Sequence, residues 1–569
     1  MSDTFRQALV AGYECLAAWA DLLDRINVFP IADGDTGRNL VISLSPLRGP
    51  ERDISELRKE LLRSARGNSG NIASVFFRCF LTGDNADQLP DAVRRGRDEA
   101  WRSVPDPRPG TMLTFFDTLT ECFQKPWSGE TLSGLRIRLE DAVRATITQQ
   151  PQLRRAGVVD AGALGMYLFF EGFMPVYAGG APVVRSVTET FGDFVRLSPS
   201  YRDEPERGYC VDVMIETGGD AHQAEACPSL PGESIVASRR GKCLKIHLHT
   251  HDLEEVRSRL RPLGKILGWA EDDLYRQTAN FNRPGRDDSV HIMTDAAGSL
   301  TREEAALMDV SLLDSYIIIG KQCLPETCLA PSVLYDAMRS GIRVSTSQAS
   351  VFERHQHYTN VMGRHERVLY LCVGSAYTGN YETAVAWKKN HDPQDRMTVI
   401  DTGTASGRLA LIVLAVAAFS KGKTRPEDVA AFAGDAVKNA EEYIFLDRLA
   451  YLAAGGRLSK SGAFFGDMLR MKPVVTPLAD GAKKAGLCRS REEQEVFALK
   501  TLEKSLAPDE GGFIFLEYSD NHDQVEAFSH AVRNRYPRSR VVVHPLSLTS
   551  GAHMGPGAWA VAFYRNFPE

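Results

Sequence analysis

Apolar residues recur at helical spacing from Phe5 to Ile26 and from Ile54 to Ala65. The apolar stretches Ile72 to Phe80 and Met166 to Phe173 each follow a Gly-rich segment, and no run of alternating strand residues interrupts them. Residues 1–178 therefore read as an all-α domain. The stretch 179–208 is rich in Gly, Pro and charge and reads as a linker. The period then changes to two. In Leu244-Lys245-Ile246-His247-Leu248-His249-Thr250-His251 the apolar positions fall on one face of a strand, and Lys245, His247, His249 and His251 on the other. This strand belongs to a small α/β domain over 209–281, followed by a second polar linker, 282–289. From Val290 onward the strands Val290–Thr294, Val368–Val373 and Thr398–Asp401 alternate with helical stretches. That rhythm predicts a parallel-sheet α/β region over 290–569. The expected fold class is multidomain: all-α, then small α/β, then a larger α/β region.

A chain of 569 residues fits about three domains. Its apolar share of 43% and charged share of 25% are those of a globular protein. A net charge of −6 gives no broad basic field, which argues against a nucleic-acid partner. The longest apolar run, Leu409 to Phe419, is too short to span a bilayer and reads as a buried helix. The first residues lack the basic end and apolar core of a secretory signal. Ten cysteines without a CxxC pair point to reduced thiols, and a cytoplasmic location is expected.

The candidate chemistry begins in NVFPIADGDTGRN, Asn27 to Asn39. Asp33 and Asp35 flank Gly34 and can converge on one hard cation if the backbone turns sharply there. Thr36 and Asn39 add oxygen atoms nearby, and such a donor set suits Mg²⁺. Taken alone, the segment also reads as an Asp-Gly turn capping a helix near Arg38. Three Gly-rich loops follow, each leading into a helix: Arg66-Gly67-Asn68-Ser69-Gly70, Pro109-Gly110-Thr111-Met112-Leu113, and Gly157 to Gly165 with Asp160 and Gly162. Amides at a helix start favour an anion, although each loop singly also fits a cap or close helix packing.

Together and in this order, the motifs resemble the nucleotide-binding domain of the dihydroxyacetone kinase family, and more closely the kinase subunit of bacterial fatty acid kinase. The resemblance covers most of residues 1–178. It implies a barrel of antiparallel helices binding ATP and Mg²⁺ at one end. Asp33 and Asp35 would hold the metal with Asn27 close by, Ser69 and Gly70 would contact phosphate, and Thr111 and Met112 the nucleotide. Thr36, Asn39, Asn68, Asp160 and Gly162 complete the implied cofactor-binding set. Arg38 stands where a small hydroxyl residue is usual, and Ala163-Leu164 where the fatty acid kinase pattern has Gly-Gln.

In the middle region His247 and His249 point the same way, and Cys210 in Gly208-Tyr209-Cys210-Val211-Asp212 supplies a soft third ligand. These residues fit either a zinc site or a polar strand face beside an unreactive thiol. The arrangement resembles the middle domain of the fatty acid kinase subunit, which implies a Zn²⁺ cluster needed for activity. With Asp33 and Asp35, the residues Cys210, His247 and His249 form the expected catalytic set.

After residue 290, polar clusters interrupt the α/β pattern: Thr294-Asp295, Ser345 to Gln348, Gly374 to Tyr381, Gly455-Gly456-Arg457 and His553 to Gly557. Hydroxyls, an arginine and a histidine are what a buried carboxylate needs. As an ordered set they resemble the DegV family of fatty-acid-binding proteins. The resemblance implies a fold of two α/β subdomains with the acyl chain in an apolar tunnel between them, and a fatty acid carboxylate held by Thr346, Ser347, Ser375, Arg457 and His553. Lys472-Pro473 also fits that pattern, whereas Ala349 stands where proline is usual. The whole chain thus resembles a fatty acid kinase subunit fused to its lipid carrier, and the implied reaction is ATP + fatty acid → ADP + acyl phosphate. Two other readings are a lipid-binding or sensing protein with a nucleotide-binding but inactive kinase-like domain, and a dihydroxyacetone-type kinase. The expected partners are ATP and a fatty acid, with transient membrane contact for lipid exchange, and a homodimer is expected.

Overall fold

In a computed structural model of the protein, every residue is described except 50–52, 125–128, 203–205, 218–229, 282–289, 422–424, 449–450, 453–470, 508, 510, 566 and 569, and the side chains of 129–131 and 279–281. The chain divides into two compact units, Met1–Pro284 and Gly285–Glu569. The linker expected over 282–289 lies outside the described residues.

The first unit opens with helices α1 (Asp3–Ala18), α2 (Ala20–Arg25), α3 (Thr36–Leu44), α4 (Ile54–Ser64), α5 (Gly67–Phe80), α6 (Leu89–Arg102), α7 (Met112–Cys122), α8 (Gly129–Gln149), α9 (Pro151–Ala156) and α10 (Ala161–Tyr177). Helix α10 is buried almost throughout and packs along α1. Phe76, Phe77, Phe80, Phe116, Phe169, Phe170 and Phe173 fill the space around it, with Phe76 stacked on Phe116 at 4.0 Å. Large apolar side chains at helical spacing thus build the core that the sequence pattern predicts. The stretch expected as a bare linker over 179–208 is partly ordered on this core. Helix α11 (Val187–Phe191) forms there, and Arg185 reaches Glu140 at 3.0 Å and Glu171 at 3.4 Å. The buried acids Glu140 and Glu171 need a cation, which composition alone does not reveal.

Strands β1 (Tyr209–Thr217), β2 (Glu233–Arg240), β3 (Cys243–Thr250) and β4 (Gly264–Asp273) form an antiparallel sheet in the order β2-β3-β1-β4. Its apolar face, including Val211, Val213, Leu244, Ile246 and Leu248, packs on Val256 and Leu260 of α12 (Leu253–Leu260). The opposite face turns to α5, and the Ala237 amide donates to the Ser103 carbonyl at 2.9 Å. The sheet expected as a separate domain over 209–281 therefore belongs to the same compact unit as the helices.

The described residues of the second unit form three sheets. Strands β5 (His291–Asp295), β6 (Val310–Leu313), β10 (Val368–Cys372) and β11 (Met397–Asp401) form a parallel sheet, β11-β10-β5-β6. Strands β7 (Ser315–Ile319), β8 (Gln322–Pro325) and β9 (Val344–Gln348) pair antiparallel. The largest sheet has the order β14-β13-β12-β17-β15-β16, from β12 (Ala440–Phe445), β13 (Lys472–Leu478), β14 (Gly481–Cys488), β15 (Gly512–Tyr518), β16 (Arg540–Pro545) and β17 (Trp559–Arg565). Within it only β15 and β16 run parallel. The parallel architecture expected after residue 290 thus describes one sheet of the three. The connection between β13 and β14 is only Ala479-Asp480, too short for a parallel crossover. The apolar run that ends at Phe419 is a buried helix, Ser406–Phe419, whose core joins residues of both larger sheets. No helix among the described residues is long and apolar enough to cross a membrane.

Candidate functional site

Four helices of the first unit begin side by side. Asp35 precedes α3, Arg66 precedes α5, Thr111 precedes α7 and Asp160 precedes α10. Thr36 Oγ1 and Ser69 Oγ, 3.3 Å apart, join the starts of α3 and α5. Asp160 accepts the Ala163 amide at 2.7 Å to cap α10, and also takes the amides of Met112 and Gly162. A Cβ at Gly162 would lie 3.1 Å from Met112 Cε and 3.4 Å from Ser69 Oγ. Thr36, Ser69, Met112, Asp160 and Gly162, separate in sequence, therefore surround one place. Converging helix starts direct N–H groups and positive dipole ends at it, which suits an anion. Burial pushes the Asp160 carboxyl up to about 7, opposed by the amides it accepts.

Gly34 turns the loop before α3 with φ 67°, a conformation that costs an L side chain energy. The turn brings Asp33 and Asp35 together. Asn27 Nδ2 donates to Asp33, and the Asn39 side chain hydrogen-bonds Asp35. Burial pushes both carboxyls up, and the charge of Asp35 pushes Asp33 further, well above the ordinary range. Two such acids keep both negative charges only beside a cation. The carboxylates with the Asn27 and Asn39 amides form a hard oxygen donor set that fits Mg²⁺. Helix α5 presses closely on α3, which this loop leads into: a Cβ at Gly70 would overlap Ser43 Oγ and lie 2.9 Å from the Asn39 carbonyl oxygen.

The sheet supplies the other wall. Register places Cys210 opposite His249 and Asp212 opposite His247. Ligand atoms of Cys210, His247 and His249 lie within 4.8 Å of one another, and all three residues are buried. His247 Nε2 and His249 Nδ1 are buried with no hydrogen-bond partner among the described residues. One thiol and two imidazoles with orphaned nitrogens fit Zn²⁺ with a fourth position open. Burial, then the charge of His247, brings His249 down to about 3. Burial pushes the Cys210 thiol well up, and the charges of Asp35, Asp212 and Asp33 add to it. The cluster and the Asp33–Asp35 pair therefore feel one another's fields and form one centre.

Two residues of this centre are not signalled by the motifs. Asp212 lies on the same strand face as Cys210, and Lys245 on that of His247; both are buried, with Lys245 Nζ 3.5 Å from Asp212 Oδ1. Burial would raise the Asp212 carboxyl, but His247, Lys245 and the Gly67 amide hold it well below the usual range. The sequence signal was the two-residue spacing of Cys210 and Asp212 on a strand paired with His-x-His.

In the second unit Thr346 Oγ1 and His553 Nε2 lie 3.0 Å apart, joining two of the expected head-group residues. Arg354 Nη1 ties the end of β9 to the turn after β10, donating to Gln348 Oε1 at 3.3 Å, the Gly379 carbonyl at 3.1 Å and Asn380 Oδ1 at 2.9 Å. Ser347 lies on β9, its hydroxyl donating to the Gln348 carbonyl at 3.2 Å. Ser375 begins that turn, with its amide donating to Asp401 Oδ1 at 3.1 Å. Arg457 lies outside the described residues.

Comparison with known proteins matches residues 30–175 to the DAK2 domain and residues 289–566 to the DegV family of uncharacterised proteins. The chain joins a DAK2 domain to a DegV-family domain. It is 29% identical over 296 residues to protein YloV of Bacillus subtilis, covering 46% of this chain and 54% of that protein. It is 26% identical over 321 residues to an uncharacterized protein of Staphylococcus saprophyticus, covering 51% of this chain and 58% of the relative. The chain thus spans little more than half the length of these relatives. Similar solved structures include a fatty-acid-binding DegV family protein from Thermus thermophilus, 22% identical with a TM-score of 0.46, covering 48% of this chain and 99% of that one. Another is DegV, a fatty acid binding protein from Bacillus subtilis, 18% identical with a TM-score of 0.46, covering 49% of this chain and 100% of that one.

Proposed function

We propose that this protein is a fatty acid kinase that carries its own lipid-binding unit and transfers the γ-phosphate of ATP to a fatty acid carboxylate. The observation that carries the proposal is the meeting of the Asp33–Asp35 pair with the converging helix starts of α3, α5, α7 and α10. Asp33 and Asp35 would hold Mg²⁺, oriented by Asn27 and Asn39. Bound there, Mg²⁺ would neutralise charge on the phosphoryl oxygens. The loop amides around Asn68, Ser69 and Gly70 would receive phosphate, with Thr111 and Met112 against the nucleotide. Cys210, His247 and His249 would hold Zn²⁺, which when bound supplies a Lewis-acidic charge on the sheet side of the centre. The acceptor would be held by Thr346, Ser347, Ser375, Arg457 and His553 of the DegV-family unit.

A carboxylic acid with a pKa of about 4–5 is already ionised at neutral pH. One carboxylate oxygen therefore bonds to the γ-phosphorus as the bond to the bridging oxygen of ADP breaks, and no general base is required. Catalysis rests on positioning and charge neutralisation. Covalent linkage of the lipid-binding unit raises the acceptor's effective concentration.

One observation favours a second reading, a nucleotide-binding lipid sensor without turnover. The positive charge of Arg38 acts on Asp35, and Arg38 Nε is buried with no partner among the described residues, so this side chain competes with a metal for the acid. The two readings separate in one assay. Purified protein with ATP, Mg²⁺ and oleate, quenched with hydroxylamine, should yield oleoyl hydroxamate, and Asp35→Ala should yield none. Nucleotide binding without hydroxamate across a range of chain lengths would establish the sensor, and undiminished product from Asp35→Ala would overturn the proposed centre.

A further inference from the structure

The Asp212 carboxylate has four neighbours, divided evenly between the start of α5 and strand β3. Oδ2 accepts the Gly67 amide at 3.0 Å and faces His247 Nδ1 at 3.4 Å. Oδ1 accepts the Asn71 side-chain amide at 3.0 Å and faces Lys245 Nζ at 3.5 Å. Asn71 Nδ2 also donates to the Gly67 carbonyl at 2.8 Å, which closes the first turn of α5 on itself. Each carboxylate oxygen therefore makes one contact to the helix and one to the strand, and only 8% of the residue is exposed. A short, buried, fully engaged side chain of this kind fixes the groups it holds relative to one another.

Both groups it holds belong to the proposed centre. Gly67 stands two residues before Ser69 in the loop assigned to phosphate. His247 belongs to the Cys210–His247–His249 cluster: its Nδ1 faces both Asp212 Oδ2 at 3.4 Å and Cys210 Sγ at 4.0 Å, and its Nε2 is buried with no hydrogen-bond partner among the described residues. A carboxylate beside the imidazole of a metal-binding histidine holds the ring in its orientation.

We propose that Asp212 is a positioning residue that couples the two halves of the centre, so that filling the Cys210–His247–His249 cluster with Zn²⁺ raises the affinity of the α5 loop for Mg-nucleotide. Drawing His247 onto a metal fixes Asp212, and Asp212 in turn fixes the Gly67 amide and the first turn of α5. A loop already ordered loses less freedom when phosphate binds. By linkage, Mg-nucleotide tightens Zn²⁺ binding by the same factor. The inference rests on the assignment of the α5 loop to phosphate made above.

The test uses the full chain. Binding of Mg²⁺ with adenylyl imidodiphosphate is measured by calorimetry with and without one equivalent of Zn²⁺, and Zn²⁺ affinity is measured against a chromophoric chelator with and without nucleotide. The wild type should show a reciprocal coupling of about 5- to 100-fold. Asp212→Asn keeps the size of the side chain but loses its charge and one acceptor. It should reduce the coupling to less than about 2-fold and weaken Zn²⁺ binding by about 10- to 100-fold. Asn71→Ala cuts a helix-side contact only; it should lower the coupling while leaving Zn²⁺ affinity in the absence of nucleotide within about 2-fold. A role confined to fold stability would shift melting without changing the coupling factor. Wild-type coupling retained in Asp212→Asn, or no coupling in a wild type that binds both ligands, would overturn the inference alone. A wild type that binds no Mg-nucleotide would overturn the phosphate assignment beneath it as well.

Discussion

Substituting Gly70 with alanine tests whether phosphate rests at the junction of α3 and α5. The added Cβ would overlap Ser43 Oγ and stand 2.9 Å from the Asn39 carbonyl oxygen and 3.0 Å from Ser43 Cβ, where ordinary contact begins at 3.4 Å. Rotating the Ser43 hydroxyl relieves only the first clash, and gives up the bond it accepts from the Arg66 amide at 2.9 Å, worth about 1 kcal/mol. The Asn39 carbonyl belongs to the backbone of α3, so the two helices must part by about half an ångström. Overpacking of this size costs about 1–3 kcal/mol. The larger effect falls on binding, because the separated helices carry Asp35 and Asn39 on one side and Ser69 on the other. A displacement of about 1 Å in a positioned site costs about 100-fold, so about half that distance should weaken Mg-adenylyl imidodiphosphate binding by roughly 10-fold. Urea unfolding and calorimetric titration measure the two effects separately. Gly134→Ala in α8 is the control, since its Cβ meets nothing within 4 Å: nucleotide binding should stay near wild type, and stability should rise by about 0.5–1 kcal/mol, the ordinary gain of alanine over glycine in a helix. A Gly70→Ala protein that loses stability yet binds nucleotide within 2-fold of wild type (about 0.4 kcal/mol) would refute a phosphate site at this junction.

Other expectations concern the second unit. Burial pushes the Glu326 carboxyl up to about 8, although it accepts the Thr549 amide and hydroxyl at 3.0 Å each. With a folded pKa above the unfolded value, the fold holds the extra proton, so stability is full at low pH and falls as pH rises from about 4.5 through 8. Glu326→Gln should flatten this dependence and stabilise the unit at pH 9 by on the order of 2–4 kcal/mol, read from urea unfolding at pH 5, 7 and 9; an unchanged pH profile would contradict it. His553→Ala removes the partner of Thr346 and one proposed donor to the lipid carboxylate. It should weaken oleate binding by about 10-fold in displacement of a fluorescent fatty acid, while Mg-nucleotide affinity stays unchanged.

The parts of this molecule that were legible in its sequence are those fixed by local rules. The Asp33-Gly34-Asp35 turn, the Gly-rich helix starts and the alternation around His247 and His249 all appear where periodicity and turn chemistry place them. What the sequence did not convey is which faces meet. The strand face bearing Cys210 turns to the first turn of α5, and that packing alone makes Asp212 and Lys245 part of the centre. On a strand of alternating pattern an aspartate or lysine reads equally as a solvated residue. The segment near Arg185 was illegible for a related reason, since its order comes from the buried acids Glu140 and Glu171 on other helices. Strand direction in the second unit depended on connection length, which the apolar runs do not encode.

Transfer of phosphate to a carboxylate has an isotopic signature. Oleate labelled with oxygen-18 in both carboxylate positions would contribute one labelled oxygen to the bridge of the acyl phosphate. Hydroxylamine attacks the carbonyl carbon and expels phosphate with that oxygen attached. Mass spectrometry of the phosphate released by the wild-type chain with ATP, Mg²⁺, labelled oleate and hydroxylamine should find one oxygen-18 atom per phosphate, in amounts matching the hydroxamate. Unlabelled phosphate, the product of ATP hydrolysis by water, would contradict a kinase acting on the lipid carboxylate.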